Sequence, residues 1–147
     1  AIDIRPLIVR LVGKRVRPLI AHAERLGYVG TPHGWSLLGE WINTGARLQV
    51  TASSLLGAWG PGPMEWAWRL VNEGRAFAIA SDAHHATHRP PHMTDCWRAV
   101  VRKCGLAMAE RLMVTHPRQV MAPRRGRMIV SVTDRPDHKP EHLESRR

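Results

Sequence analysis

Three short apolar runs, separated by longer segments with helical spacing of apolar residues, constrain the fold of this chain more than any other feature. We predict buried strands at residues 19–21, 47–51 and 77–80. Around them, apolar residues recur every three or four positions, which indicates amphipathic helices. The predicted helices cover residues 4–16, 37–44, 64–71, 94–103 and 106–114. Short strands alternating with helices favour parallel pairing with right-handed crossovers, so the sequence predicts an α/β domain with three parallel strands.

Two pairs of candidate metal ligands follow the first and third predicted strands. His22 and Glu24 come after the first, and Asp82 and His84 come after the third. If each segment stays extended, the two members of a pair point to the same side of the chain. Active sites of parallel sheets lie at the carboxyl ends of the strands. Imidazole and carboxylate donors without thiolates suit Mn, Fe or Zn.

The composition limits the class of protein. The hydrophobic fraction is 44% and the charged fraction is 23%, as in globular proteins, and no apolar run is long enough to insert into a membrane. The net charge of +10 favours anionic partners such as phosphates or nucleic acid. Only two cysteines occur, which suits a reducing, cytoplasmic location. From residue 123 onward the chain is basic and contains several prolines, so residues 123–147 are predicted to be a flexible tail.

Three ordered segments of this sequence resemble one family. They are residues 17–25, where the family usually has Pro in place of Ala23, residues 48–57, and residues 80–85 followed by Arg89-Pro90-Pro91. The chain looks like the manganese-dependent bacterial tyrosine phosphatases of capsular and exopolysaccharide biosynthesis, within the polymerase-and-histidinol-phosphatase (PHP) superfamily. The resemblance runs from about residue 18 to residue 117.

The resemblance implies a fold, a cofactor and a set of roles. Residues 1–122 would form part of a PHP domain, a distorted (β/α) barrel whose centre holds a multinuclear Mn cluster, with Fe, Zn or Mg as other candidates. His22, Glu24, Asp82 and His84 would be metal ligands. Arg25 and Arg89 would bind phosphate oxygens, because a guanidinium matches their geometry bidentately. The implied substrate is a phosphotyrosine protein, namely a bacterial tyrosine kinase.

The family also has an N-terminal strand with a His-x-His pair, and this sequence contains no such pair. We therefore expect the chain to correspond to the C-terminal portion of the family domain, with the N-terminal strands missing. On its own it should bind metal weakly and turn over little substrate. Two alternatives stay open. One is a PHP-type phosphoesterase acting on a small metabolite or nucleic acid, and the other is a non-catalytic basic binding module. The oligomeric state is not predicted.

The sequence also contains a cysteine and an arginine at the separation found in another class of phosphatase. Cys96 and Arg102 satisfy the Cys-x5-Arg spacing of cysteine-dependent tyrosine phosphatases. That chemistry needs a tight loop of small residues whose amides surround the phosphate. The residues between Cys96 and Arg102 instead continue an amphipathic helix, so we predict a structural cysteine.

Overall fold

The computed structural model describes residues 3–88, 90–121 and 131–132. The helices are α1 (Arg5–Gly13), α2 (Pro32–Asn43), α3 (Ala52–Leu55), α4 (Pro61–Asn72), α5 (Thr94–Cys104), α6 (Leu106–Glu110) and α7 (His116–Met121). The strands are β1 (Leu19–Ile20), β2 (Arg47–Thr51), β3 (Ala76–Ala80) and β4 (Ser131–Val132). A 3-10 turn covers Ala23–Arg25, and a π-helical turn at Arg111–Thr115 joins α6 to α7.

The strands form one parallel sheet in the order β3-β2-β1-β4. β1 pairs with β2 at Ile20 and Leu48, and β2 pairs with β3 at Val50 and Ile79. The register shifts between Leu48 and Gln49, where the pairing is irregular. The predicted α/β class and the three predicted parallel strands are confirmed. Because all strands run in one direction, the loops that follow them emerge at the same edge of the sheet.

The sheet also contains a strand that the sequence analysis missed. β4 pairs with β1 in parallel and lies within the segment predicted to be a flexible tail. Two residues are too few to produce the alternation of polar and apolar residues by which strands are recognised. The three predicted strands are thus confirmed, and β4 is a fourth strand that the sequence analysis did not predict. The rest of the predicted tail, residues 123–130 and 133–147, lies outside the described residues.

Burial of β2 between two neighbouring strands forms the centre of the core. Leu48, Val50 and Thr51 are fully buried, and helices α2 and α4 contribute further fully buried side chains, among them Leu38 and Leu70. A strand buried on both faces is typical of parallel sheets covered by helices. Among the described residues, no helix is long and apolar enough to cross a membrane.

A pair of leucines tests how much of the stability this core provides. Leu70 on α4 is fully buried, whereas Leu106 on α6 is 54% exposed. We expect Leu70→Ala to lower the free energy of unfolding by about 2–5 kcal/mol, because the substitution leaves a cavity. Leu106→Ala should change it by less than about 0.5 kcal/mol. Urea unfolding of both variants measures the difference. Equal losses in the two would contradict this packing.

Candidate metal and phosphate site

The two predicted ligand pairs lie at the same edge of the sheet. His22 and Glu24 follow β1, while Asp82 and His84 follow β3, and these two strands flank β2. The end of β2, at Thr51, therefore lies between the two loops. This arrangement confirms the predicted location of both pairs at the carboxyl ends of parallel strands.

The backbone of both loops differs from the prediction. His22 has φ 38° and ψ 49°, and the 3-10 turn follows it directly. Asp82 has φ 53°. The expectation that each pair lies in extended chain, with both side chains on one side, is therefore wrong. His22 and Asp82 are two of the three non-glycine residues with positive φ in the described part of the chain. Such conformations cost of order 1–3 kcal/mol and cluster at functional sites.

Glu24 is a buried carboxylate at the centre of the first loop, with only 1% of its surface exposed. Its Oε1 accepts a hydrogen bond from the backbone N–H of Thr51 at 3.0 Å. Its Oε2 is buried and has no hydrogen-bond partner among the described residues. Burial raises the pKa of the Glu24 carboxyl, and the neighbouring Ser54 side chain, followed by backbone N–H groups that include that of Thr51, partly offsets that shift. A buried carboxylate oxygen without a partner is the kind of atom that a metal ion or a proton would satisfy.

His22 is held against the neighbouring strand. Its backbone N–H donates to Oε1 of Gln49 at 3.2 Å, and Gln49 is itself buried in β2. The ring atom Nδ1 of His22 is buried. The first ligand pair therefore combines a buried carboxylate with a half-buried imidazole, and polar residues of β2 fix the loop that carries them.

Arg25 connects the two loops. Its Nη1 lies 3.1 Å from Oδ2 of Asp82, and the two side chains are 17% and 16% exposed. The same guanidinium stacks on Trp59, with Cζ 3.7 Å from the ring centroid. A guanidinium that touches both a carboxylate and an indole is held in a defined position. The predicted phosphate-binding residue of the first loop thus contacts a predicted metal ligand of the second.

His84 is more exposed than the other candidates. Its Nδ1 lies 2.7 Å from the backbone carbonyl oxygen of Asp82 and 3.7 Å from Oδ1 of Asp82, and 53% of its side chain is exposed. Arg89, the second predicted phosphate-binding residue, lies outside the described residues.

The donor types fit a divalent metal, but the described residues do not complete a site. Within residues 3–88, 90–121 and 131–132, no three His, Cys, Asp or Glu side chains are grouped so that they could hold a metal ion. The partnerless Oε2 of Glu24 is the observation that fits a ligand best. Asp82 instead contacts Arg25. This part of the chain therefore offers a partial set of donors.

The cysteine motif has no reactive thiol. Cys96 lies in α5 and is fully buried, and burial raises the pKa of its thiol to about 12. A thiolate nucleophile needs a lowered pKa and access to the substrate. The predicted structural role of Cys96 is confirmed.

Sequence reasoning missed three residues that shape the site. Gln49 and Thr51 bond to the first loop, and Trp59 supports Arg25. Gln49 and Thr51 could have been found, because polar residues in a buried strand need partners. Trp59 carries no such signal, since it lies in the turn between α3 and α4.

Comparison with known proteins identifies similar chains. A family model described as capsular polysaccharide synthesis, CpsB/CapC, matches residues 2–122. CapC of Staphylococcus aureus is 44% identical over 73 residues, which are 50% of this chain and 28% of that protein. The tyrosine-protein phosphatase YwqE of Bacillus subtilis is 32% identical over 88 residues, 60% of this chain and 34% of that protein.

A solved structure is similar as well. It belongs to the pair YwqE from Bacillus subtilis and CpsB from Streptococcus pneumoniae, described as unique metal-dependent tyrosine phosphatases. The TM-score is 0.71 at 27% identity, and the match covers 86% of this chain and 49% of the solved one. This chain thus spans less than half of the length of the curated relatives named above and about half of the solved structure.

Burial of Glu24 predicts a pH-dependent penalty in metal-free protein. The pKa of folded Glu24 is raised above its ordinary value of 4.5. The loss of folding stability caused by the buried charge is therefore absent below pH 4.5, the ordinary pKa. It grows as the pH rises towards the folded pKa and is complete above the folded pKa. Glu24→Gln should be more stable than the parent at pH 7 and lose that advantage near pH 4, as measured by urea unfolding with a chelator present.

The matched control for this substitution is Glu65→Gln, because Glu65 lies exposed on α4. It should change the free energy of unfolding by less than about 0.5 kcal/mol at either pH. A Glu24→Gln variant that is less stable than the parent at pH 7 would show that the ionised carboxylate is stabilised in the fold.

Proposed function

This chain belongs to the CpsB/CapC family of capsular polysaccharide synthesis, and we propose that it carries part of the active site of a metal-dependent protein-tyrosine phosphatase. The names of the relatives support the reaction, hydrolysis of phosphotyrosine on a protein. The proposed substrate is a tyrosine kinase that regulates capsule or exopolysaccharide synthesis in the cytoplasm. Both cysteines are free thiols, as a reducing compartment would leave them.

One contact carries the proposal. Arg25 and Asp82 come from loops after two different strands, and their side chains meet at 3.1 Å at the carboxyl edge of the sheet. A cation suited to phosphate therefore lies beside a carboxylate suited to a metal. Metal-dependent phosphoester hydrolysis uses both kinds of group close to the phosphorus atom, where they stabilise the charge that develops in the transition state.

In this proposal His22, Glu24, Asp82 and His84 are metal ligands, and the metal is Mn, with Fe, Zn or Mg as alternatives. A divalent ion at this edge would supply positive charge to the phosphoryl oxygens and activate water. The chain itself binds and orients the phosphate. Arg25 donates to the phosphate oxygens from its stacked position on Trp59, and Arg89 is proposed as the second donor.

The finer architecture belongs to the same proposal. We propose that residues 1–122 are the C-terminal part of a distorted (β/α) barrel of PHP type and that residues 123–147 form an appended basic tail. The parallel sheet and the likeness to the solved structure support the barrel. A barrel would also supply a further strand next to β3, the last strand on that side of the described sheet.

A chimera tests the activity. In it, this chain replaces the segment that it matches in Streptococcus pneumoniae CpsB, which is 45% of that protein. We expect Mn-dependent hydrolysis of a phosphotyrosine peptide. Asp82→Ala and His84→Ala should each lower kcat/KM by about 100-fold or more, since a metal supplies several kcal/mol of transition-state stabilisation. Arg25→Lys should lower it by about tenfold, because one bidentate contact is lost.

The matched control is Arg118→Lys, at an exposed position of α7, which should leave kcat/KM unchanged. Full activity in both the Asp82 and the His84 variants would remove these residues from the site. Hydrolysis of small phosphate esters or nucleic acid without hydrolysis of the peptide would replace the proposed substrate. Binding of nucleic acid without any hydrolysis would favour a basic binding module.

A further inference from the structure

A cavity of about 410 Å³ is lined by Trp59, on which Arg25 stacks, and by Ser81, which precedes Asp82 in the chain. Its walls come from the residues after β2, from the turn between α3 and α4, and from the loop after β3. Its apolar lining includes Ala52, Leu56, Trp59 and Pro90, and its polar lining includes Ser81, His88 and His92. The volume lies within the range of small-molecule sites, about 300–1,000 Å³.

The walls of this cavity are mainly apolar although it opens to solvent. Leu56 is 48% exposed and Trp59 is 41% exposed, so each leaves a large apolar surface uncovered. Ala52 and Pro90 add further apolar groups. An aromatic ring bound here would cover these surfaces, and it would do so without burying a charge.

Trp59 connects the cavity to the phosphate-binding residue. Its indole N–H donates to Oγ of Ser53 at 2.9 Å, which fixes the orientation of the ring. The Arg25 guanidinium lies over the ring at 3.7 Å. An aromatic ring that packs against Trp59 from the cavity would therefore contact the same indole that supports Arg25.

We propose that this cavity is the subsite for the phenyl ring of phosphotyrosine, with Trp59 as the residue that selects aryl over alkyl phosphates and positions Arg25. The inference rests on the proposed function, because it assigns the ring of that same substrate. An apolar cavity joined to a guanidinium matches a phosphorylated phenol. The side chains of phosphoserine and phosphothreonine carry no ring to fill it.

The test measures binding, so it does not depend on turnover. Phenyl phosphate, ethyl phosphate and inorganic phosphate are titrated into the purified chain by calorimetry. We expect phenyl phosphate to bind about tenfold more tightly than ethyl phosphate, the scale of covering one aromatic ring. In Trp59→Leu, phenyl phosphate should bind at most about twofold more tightly than ethyl phosphate. Trp59→Phe should retain most of the preference, because a phenyl ring still forms the wall.

Trp97→Leu is the matched control. Trp97 lines a separate apolar cavity of about 310 Å³ together with Met93, Thr94 and Met113. This variant should keep the aryl preference, and circular dichroism should show that all variants are folded. The positioning of Arg25 is measured separately, by the affinity for inorganic phosphate. Trp59→Leu should lower that affinity by about two- to threefold, because one cation–π contact is lost.

Several results would overturn the subsite. They are equal affinities for phenyl and ethyl phosphate, an unchanged ratio in Trp59→Leu, an equal loss in Trp97→Leu, or no binding of any of the three phosphates. Failure of the function looks different. Aryl preference that depends on Trp59, combined with no hydrolysis by the chimera, would support the subsite and reject the phosphatase. Hydrolysis of phosphotyrosine peptide by a Trp59→Leu chimera at the parent rate would reject the subsite alone.

Discussion

The parallel pairing of β2 with β1 on one side and β3 on the other determines where the described candidate site residues lie. Parallel strands bring the loops that follow them to one edge, so residues 57 positions apart, Arg25 and Asp82, come into contact. The same pairing buries β2 completely along its C-terminal half. A polar residue in that half must find its partners in the neighbouring loops, because water cannot reach it.

Gln49 and Thr51 meet that requirement by bonding to the first loop. Gln49 accepts from the backbone of His22, and the backbone of Thr51 donates to Glu24. These bonds hold His22 in a left-handed backbone conformation and Glu24 in a buried position. The first costs conformational free energy and the second costs desolvation of a carboxylate. Glu24 Oε2 gains nothing in return among the described residues. Burial of this carboxylate therefore costs free energy that its hydrogen bonds offset only in part.

The sequence predicted the strands and their ends better than the loops. Apolar runs located β1, β2 and β3, and hence the edge at which His22 and Asp82 lie. Their positive φ angles were not predicted, since neither residue is a glycine and positive φ is uncommon for other residues. β4 was missed because two residues carry no pattern. Trp59 was missed because its importance arises only when Arg25, from a distant loop, lies over its ring.

The contact between Arg25 and Asp82 is better explained by geometry than by stability. Partly exposed ion pairs contribute about 0–1 kcal/mol, because desolvation and side-chain ordering offset the attraction. Removing such a pair would cost the fold little, yet the contact sets the distance between two loops. A phosphate group carries a charge of about −1.5 to −2, whereas Asp82 carries one negative charge. At equal distance the phosphate therefore attracts the guanidinium more strongly. Trp59 supports Arg25 through its ring face, so this contact does not use the guanidinium N–H groups that would donate to such an anion.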